Sequence, residues 1–203
     1  MKPQSQGIQI SDAVLVKQCQ QGDSAAMELL ILKYQHRIYN VILRLCANVD
    51  DAAELAQETF VKAIEHIGKF KGKSSFYTWV FRIAVNLTLT YRQKHSEIGL
   101  RPLDSSDDEQ NEHAAQFLHY DRSSNPAEVA ANNELGEIAL KALMRLDEMQ
   151  RTVLVLRDIE GMNYRQITEV LNIKLGTVRS KLSRARTRLK AVFRLMCSCR
   201  ATA

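Results

Sequence analysis

The chain has 203 residues, with 28 Lys and Arg against 23 Asp and Glu for a formal charge of +5, and only eight glycines and three prolines. Apolar residues make up 45% of it, enough for a real core, and no apolar run reaches membrane-spanning length, which argues against a helical membrane protein. Scarce turn residues and the lack of strand-like alternation predict an all-α protein, and without a signal-peptide pattern the expected location is the cytoplasm.

In chain order, residues 1–10 read as a frayed end. Ser11-Asp12 can cap a helix to about Gln21, with Gly22 ending it. Asp23 caps a second helix whose Met27, Leu30, Ile31, Tyr34, Ile38, Val41, Ile42 and Leu45 recur at spacings of three and four, so one face is buried. Asp51-Ala-Ala-Glu54 has the spacing of a capping box with Asp51 as the cap. The third helix it opens offers Leu55, Phe60, Val61 and Ile64 to a core. Gly68 and Gly72 bracket a basic loop, and Ser74 or Ser75 caps a fourth helix to about Lys94. From Ser96 to about residue 126 the pattern stops, and Asp104, Asp107, Asp108, Glu109 and Glu112 mark an acidic, solvated linker. Helical spacing resumes over 127–145, continues through Val153, Leu154 and Leu156, and breaks at Gly161. Two helical domains are predicted, over 1–95 and 127–195, joined by the linker 96–126 and followed by a tail, 196–203.

The second domain carries a helix-turn-helix pattern, Tyr164 to Leu171 and then Asn172 to Val178. No Asp or Glu follows Glu169, while nine Lys or Arg do. With the last helix starting near Leu175, the residues Val178, Leu182, Ala185, Leu189 and Val192 form a stripe that packs on the helix before it. Arg179, Ser180, Ser183 and Arg184 then project near the amino-terminal end, where a recognition helix meets base edges. Lys181, Arg186, Arg188 and Lys190 suit phosphates. A surface helix without function usually mixes charge signs, and this one does not, which favours DNA contact.

The fourth helix is aromatic, with Phe76, Tyr77, Trp79, Phe81 and Tyr91, and it is entered through Lys69, Lys71 and Lys73. Core packing takes some of these rings. Rings beside cations also make a platform for unpaired bases, with Arg82 and Arg92 adding charge along the helix. Cys19 and Cys46 sit at helical spacing among apolar residues and read as buried thiols; Cys197-Ser-Cys199 has the spacing to bind metal or respond to redox, but with no His nearby in sequence an inert tail is favoured. No metal-ligand cluster, phosphate loop or nucleophile–base pair is visible, so neither an enzyme nor a bound cofactor is expected.

Four ordered segments carry a resemblance: Tyr34 to Arg37; Glu54 to Ala63; Ser75 to Asn86; and Gly176 to Ser180 with Arg184-Ala-Arg186. In them the chain resembles the bacterial sigma-70 family, in its small extracytoplasmic-function group of the sigma-E type. The resemblance implies a factor that binds the clamp and flap of core RNA polymerase, directs it to promoter DNA and melts the −10 region, in an envelope or extracytoplasmic stress response. It implies a polymerase contact through Glu54, Gln57, Glu58 and Phe60. It implies −10 recognition through His66, Phe70, Lys71, Lys73, Phe76, Tyr77, Trp79, Arg82, Ile83 and Asn86, with His66, Phe70, Ile83 and Asn86 lining a pocket for a flipped base. It implies −35 recognition through Arg179, Ser180, Lys181, Ser183, Arg184, Arg186 and Arg188. Ser183 departs from the family's Phe, so a thymine-methyl contact is lost and a different −35 preference is expected. A membrane-bound anti-sigma protein is the implied inhibitor, which would hold the factor at the inner membrane; no small-molecule substrate is implied. The alternative is a stand-alone helix-turn-helix regulator, which needs neither the Gln57-Glu58-Thr59-Phe60 motif nor an aromatic base-capturing helix.

Overall fold

The computed structural model describes residues 10–97, 136 and 138–200, with side chains placed to residue 95 in the first stretch and to residue 196 in the second. Among them every regular element is helical. The first domain comprises α1 (Asp12–Gln20), α2 (Ser24–Cys46), α3 (Val49–His66), a 3₁₀ turn (Ile67–Lys69) and α4 (Phe76–Glu97). The second holds a helical stretch over 138–144, here α5, then α6 (Glu148–Leu154) running into a π-helical turn (Val155–Ile159), α7 (Tyr164–Leu171) and α8 (Leu175–Arg200).

Local chemistry sets most of these boundaries. The Asp23 carboxylate accepts from the Ala25 and Ala26 amides and starts α2. Gly22, at φ 93°, takes the left-handed turn between α1 and α2 that a side chain would strain. Ser11 occupies the N-cap position of α1 but makes no side-chain capping bond. The predicted box on Asp51 is shifted by one turn. α3 begins at Val49, the Asn48 side chain accepts from the Asp51 amide, and Asp51 is the third helical residue. Its carboxylate instead accepts from the Tyr91 hydroxyl at 2.8 Å, tying α3 to α4. Ser75, rather than Ser74, caps α4 by accepting from the Thr78 amide. α4 runs on to Glu97, past the predicted stop; the remainder of the acidic linker lies outside the described residues, as does most of the predicted helix before Ile138.

The inward stripes match their spacing. Leu30, Ile38, Val41, Ile42 and Leu45 on α2 are buried with Phe81, Ala84 and Val85 on α4. Along α3 the buried residues are Ala52, Leu55, Thr59, Phe60 and Ala63, whereas Val61 and Ile64, predicted to be core, are 47% and 48% exposed. The 52–55–59–63 stripe faces α2 and α4, which leaves Val61 and Ile64 on the outer side. Cys19 and Cys46 are buried free thiols, and burial pushes the Cys46 thiol up to about 11.

The two domains pack against each other. Arg151 is 3% exposed and donates to the carbonyls of Leu143, Met144 and Leu146 in its own domain and to that of Leu45, at 2.7 Å, in the other. Leu45 lies in the last turn of α2, whose carbonyls lack helical partners, and the Arg92 guanidinium supplies a second donor there at 2.6 Å. Arg92 also reaches Glu148 at 2.8 Å. Burial, with the like charge of Arg92 next, lowers the Arg151 guanidinium to about 10.

Candidate nucleic-acid interface

The helix-turn-helix forms because both its ends are specified. Asn163 and Gln166 make a reciprocal capping box at the start of α7, with bonds of 3.0 and 2.8 Å. Asn172, at φ 52°, ends it in the left-handed conformation that Asn tolerates. The turn to α8 is short, and the Thr177 and Val178 amides return to the Lys174 carbonyl. Val178, Leu182 and Ala185 are buried against the domain, with Leu189 half-buried behind them. This fixes the outward face: Arg179, Ser180, Ser183, Arg184 and Arg188 are all exposed.

Two of the expected −35 contacts are engaged within their own domain. Arg186 makes a paired contact with Asp158 at 2.9 and 2.5 Å. Lys181 lies 3.5 Å from Asp147. Both pairs are on the surface, where such contacts contribute little, so DNA phosphates can compete for them. The Arg179 guanidinium lies over the Tyr164 ring, 6.0 Å from its centre, which orients it without occupying its donors.

The aromatic residues of α4 divide into two sets. Phe76 is 3% exposed and Phe81 fully buried, so both belong to the core. Trp79 and Phe70 are half-buried, with ring centres 5.0 Å apart, and Phe76 lies beneath them. Beside this cluster is a cavity of about 480 Å³, lined on one side by Phe70, Lys71, Gly72, Ser74, Ser75 and Phe76 and on the other by residues of α1. His66, Ile83 and Asn86 do not line it. Ile83 and Asn86 follow Trp79 on the same side of α4 at spacings of four and three, Asn86 about 10 Å along the axis at 1.5 Å per residue. Arg82, Asn86, His66 and Lys73 are exposed. Arg92, expected to add charge for nucleic acid, is committed to the joint between the domains.

Tyr77 faces the second domain. Its hydroxyl donates to the Glu160 carbonyl at 3.1 Å and accepts from Arg37 at 3.0 Å. Arg37 stacks on the Tyr77 ring at 4.6 Å and also donates to the Glu160 carboxylate at 3.1 and 3.2 Å, while Arg44 lies 3.9 Å from its other oxygen. The Glu160 side chain is only 6% exposed. Its position follows from the π-helical turn, closed by the Glu160 amide on the Val155 carbonyl, and from Gly161 at φ 70°. Burial raises the Tyr77 hydroxyl to about 12, with Arg37 opposing. Gln166 of α7 adds a longer contact to Thr78 of α4, 3.4 Å. Glu160 was not among the sequence-derived candidates, and a lone Glu before a Gly carries no sequence signal for this role.

On α3, Glu54, Gln57 and Glu58 are exposed, whereas Phe60 points into the core and is 9% exposed. The outer face holds Gln57, Val61 and Ile64 at spacings of four and three, with Glu58 paired to Lys62 at 3.2 Å. It therefore combines polar and exposed apolar groups, as protein-binding faces do. Among the described residues no helix is long and apolar enough to cross a membrane, and no group of three or more His, Cys, Asp or Glu is placed to hold a metal.

A helix-turn-helix whose second helix carries no acidic residue, on a domain that follows a helical domain with an aromatic cavity, defines a DNA-binding transcription protein. The comparisons narrow this. Sigma-70 region 2 matches residues 30–98 and sigma-70 region 4 matches residues 136–189. The chain is 37% identical over 182 residues to the RNA polymerase sigma-H factor of Pseudomonas aeruginosa, covering 88% of this chain and 91% of that one. It is 35% identical over 179 residues to the ECF RNA polymerase sigma-E factor of Escherichia coli K12, covering 88% and 92%. Its fold is similar to that of CnrH in complex with the cytosolic domain of CnrY, with a TM-score of 0.64, 23% identity and coverage of 91% and 97%. It is also similar to the sigma factor RpoE in complex with the anti-sigma factor NepR from Bartonella quintana, at 0.62, 22% and coverage of 82% and 96%. The chain belongs to the extracytoplasmic-function group of the sigma-70 family. It is an alternative sigma factor, which binds core RNA polymerase and directs it to promoters.

Proposed function

We propose a division of labour among three surfaces. The outer face of α8, with Arg179, Ser180, Ser183 and Arg184 at its amino-terminal end, reads the −35 element, and Lys181, Arg186 and Arg188 take phosphates. The cavity beside Phe70 and Trp79, with Lys71 on its wall, Lys73 on the same loop, and Arg82 and Asn86 further along α4, holds the melted −10 strand. The outer face of α3, through Glu54, Gln57 and Glu58 together with Val61 and Ile64, docks on the polymerase clamp. The observation that supports the DNA assignments best is the sequence of exposures on α8: its apolar stripe is buried and its basic residues face out.

A membrane-bound anti-sigma protein is the expected inhibitor, and an envelope stress response the expected setting. Of two proteins of similar fold, the sigma factor RpoE is seen in complex with an anti-sigma factor and CnrH with the cytosolic domain of CnrY, which supports this reading. Run-off transcription with core polymerase on a library of −10 and −35 variants tests the assignments. They fail if addition of the chain does not make initiation depend on both elements.

A further inference from the structure

The region 2 match begins at residue 30, and α1 ends before it at Gln20. In the structure α1 is nonetheless one wall of the cavity beside the aromatic cluster, contributing Asp12, Ala13, Val16, Lys17 and Gln20. Asp12 is already engaged by Lys33 at 2.5 Å and by the Tyr34 hydroxyl, so its charge is balanced and it braces α1 against α2. Lys17 on this wall and Lys71 on the other then give the cavity a positive balance.

Gln20 connects the two walls. Its side-chain amide donates one bond to the Ile67 carbonyl at 3.0 Å and another to the Phe70 carbonyl at 2.9 Å. These carbonyls bracket the 3₁₀ turn, whose own closing bond runs from the Phe70 amide to the Ile67 carbonyl at 3.1 Å. Beyond Phe70 the chain to Ser75 is irregular and includes Gly72 at φ 66°, so little within the loop fixes its course. The two bonds from Gln20 therefore set where the Phe70 ring and the Lys71–Ser75 wall stand relative to α1.

We propose that Gln20 is a positioning residue for −10 recognition. By fixing the loop that carries Phe70, it sets the width of a cavity that takes an unpaired nucleobase, with Lys17 and Lys71 flanking the adjoining phosphates. The inference rests on the −10 assignment above. An extruded base has lost its stacking partners, so a cavity wall displaced by an ångström discriminates poorly between bases while still admitting them.

The test is run-off transcription by holoenzyme assembled with wild-type, Gln20→Ala or Gln20→Glu chain, on promoters carrying each base in turn across the −10 element, as duplex and as premelted templates. Gln20→Glu keeps the size but loses both donors; Gln20→Ala shows whether the added charge matters. Both variants are expected to bind core polymerase and to respond to −35 changes as wild type does. Discrimination at one −10 position should fall about tenfold, the ratio that 1.4 kcal/mol produces. The loss should persist on premelted templates, where opening no longer limits. Unchanged discrimination in both variants overturns the role of Gln20 and leaves the −10 assignment standing. Equal loss on every template together with weaker core binding also overturns it, because that is a folding defect. If wild-type holoenzyme itself ignores −10 sequence, both the inference and the assignment fall.

Discussion

The two helices assigned to promoter contacts, α4 and α8, are presented in opposite ways. The basic side of α8 faces solvent, and among the described residues its charged partners are the surface acids Asp158 and Asp147, with the Tyr164 ring beneath Arg179. The entry to α4 is covered, since Tyr77 is bonded to Glu160, Thr78 to Gln166, and α7 packs along the helix. The difference shows where structural requirements and DNA contact compete. Residues on α8 can be changed with little effect on folding, whereas those near the amino-terminal end of α4 also hold the domains together.

The largest effect should come from the joint. Arg151→Met removes a buried guanidinium that serves four carbonyls, and unmet buried acceptors cost about 1–3 kcal/mol each where water cannot reach them. A loss of about 3 kcal/mol in urea unfolding is expected, and a loss within error would mean that the joint is dispensable. Next, Glu160→Ala leaves Arg44 and Arg37 without their shared carboxylate. Helix content by circular dichroism should stay constant while the distance between labels on α2 and α7 increases; an unchanged distance would show that apolar contact alone holds the domains. Arg179→Ala should then reduce discrimination at the −35 element by roughly 1–3 kcal/mol, read by footprinting across mutated promoters, with no change in stability. An unaltered footprint series would remove Arg179 from the readout. Smallest, Arg188→Ala should weaken holoenzyme binding evenly across sequences and lower the salt slope by about one, as for a single lost phosphate contact. A sequence-dependent loss would move Arg188 from phosphate to base contact. The comparison of helices sharpens if Asn86→Ala, on the exposed part of α4, slows promoter opening without affecting polymerase binding or stability.

Much of this was legible in the sequence, where local chemistry decides. Spacings of three and four gave the helices and the buried stripes of α2 and α8, and Asp23, Gly22 and Ser75 marked ends that the structure retains. At the start of α3 both Asn48 and Asp51 are residue types that fit a cap; Asn48 takes the role, and Asp51 serves Tyr91 instead. Val61 and Ile64 were assigned to the core since apolar residues at helical spacing usually are. Which side of α3 meets α2 and α4 is settled in three dimensions, and the exposed pair joins the face proposed above to dock on polymerase. The joint was invisible for a different reason: Arg37 and Glu160 are 123 positions apart, and Arg151 and Leu45 are 106 apart. A single sequence carries no periodic signal over such separations.

The joint also sets a limit on reach. Elements numbered −10 and −35 lie about 25 base pairs apart, or about 85 Å of B-DNA at 3.4 Å per base pair. If the surfaces proposed above engage both elements at once, the joint closed at 3.1 Å between Arg37 and Glu160 is expected to open. On that reading the closed joint competes with promoter engagement from inside the molecule. Each 1.4 kcal/mol held in the contacts of Glu160 and Arg151 lowers the apparent promoter affinity of the lone chain about tenfold. A polymerase that seats the two domains apart would remove that competitor, and the joint would then make promoter recognition conditional on assembly of the holoenzyme.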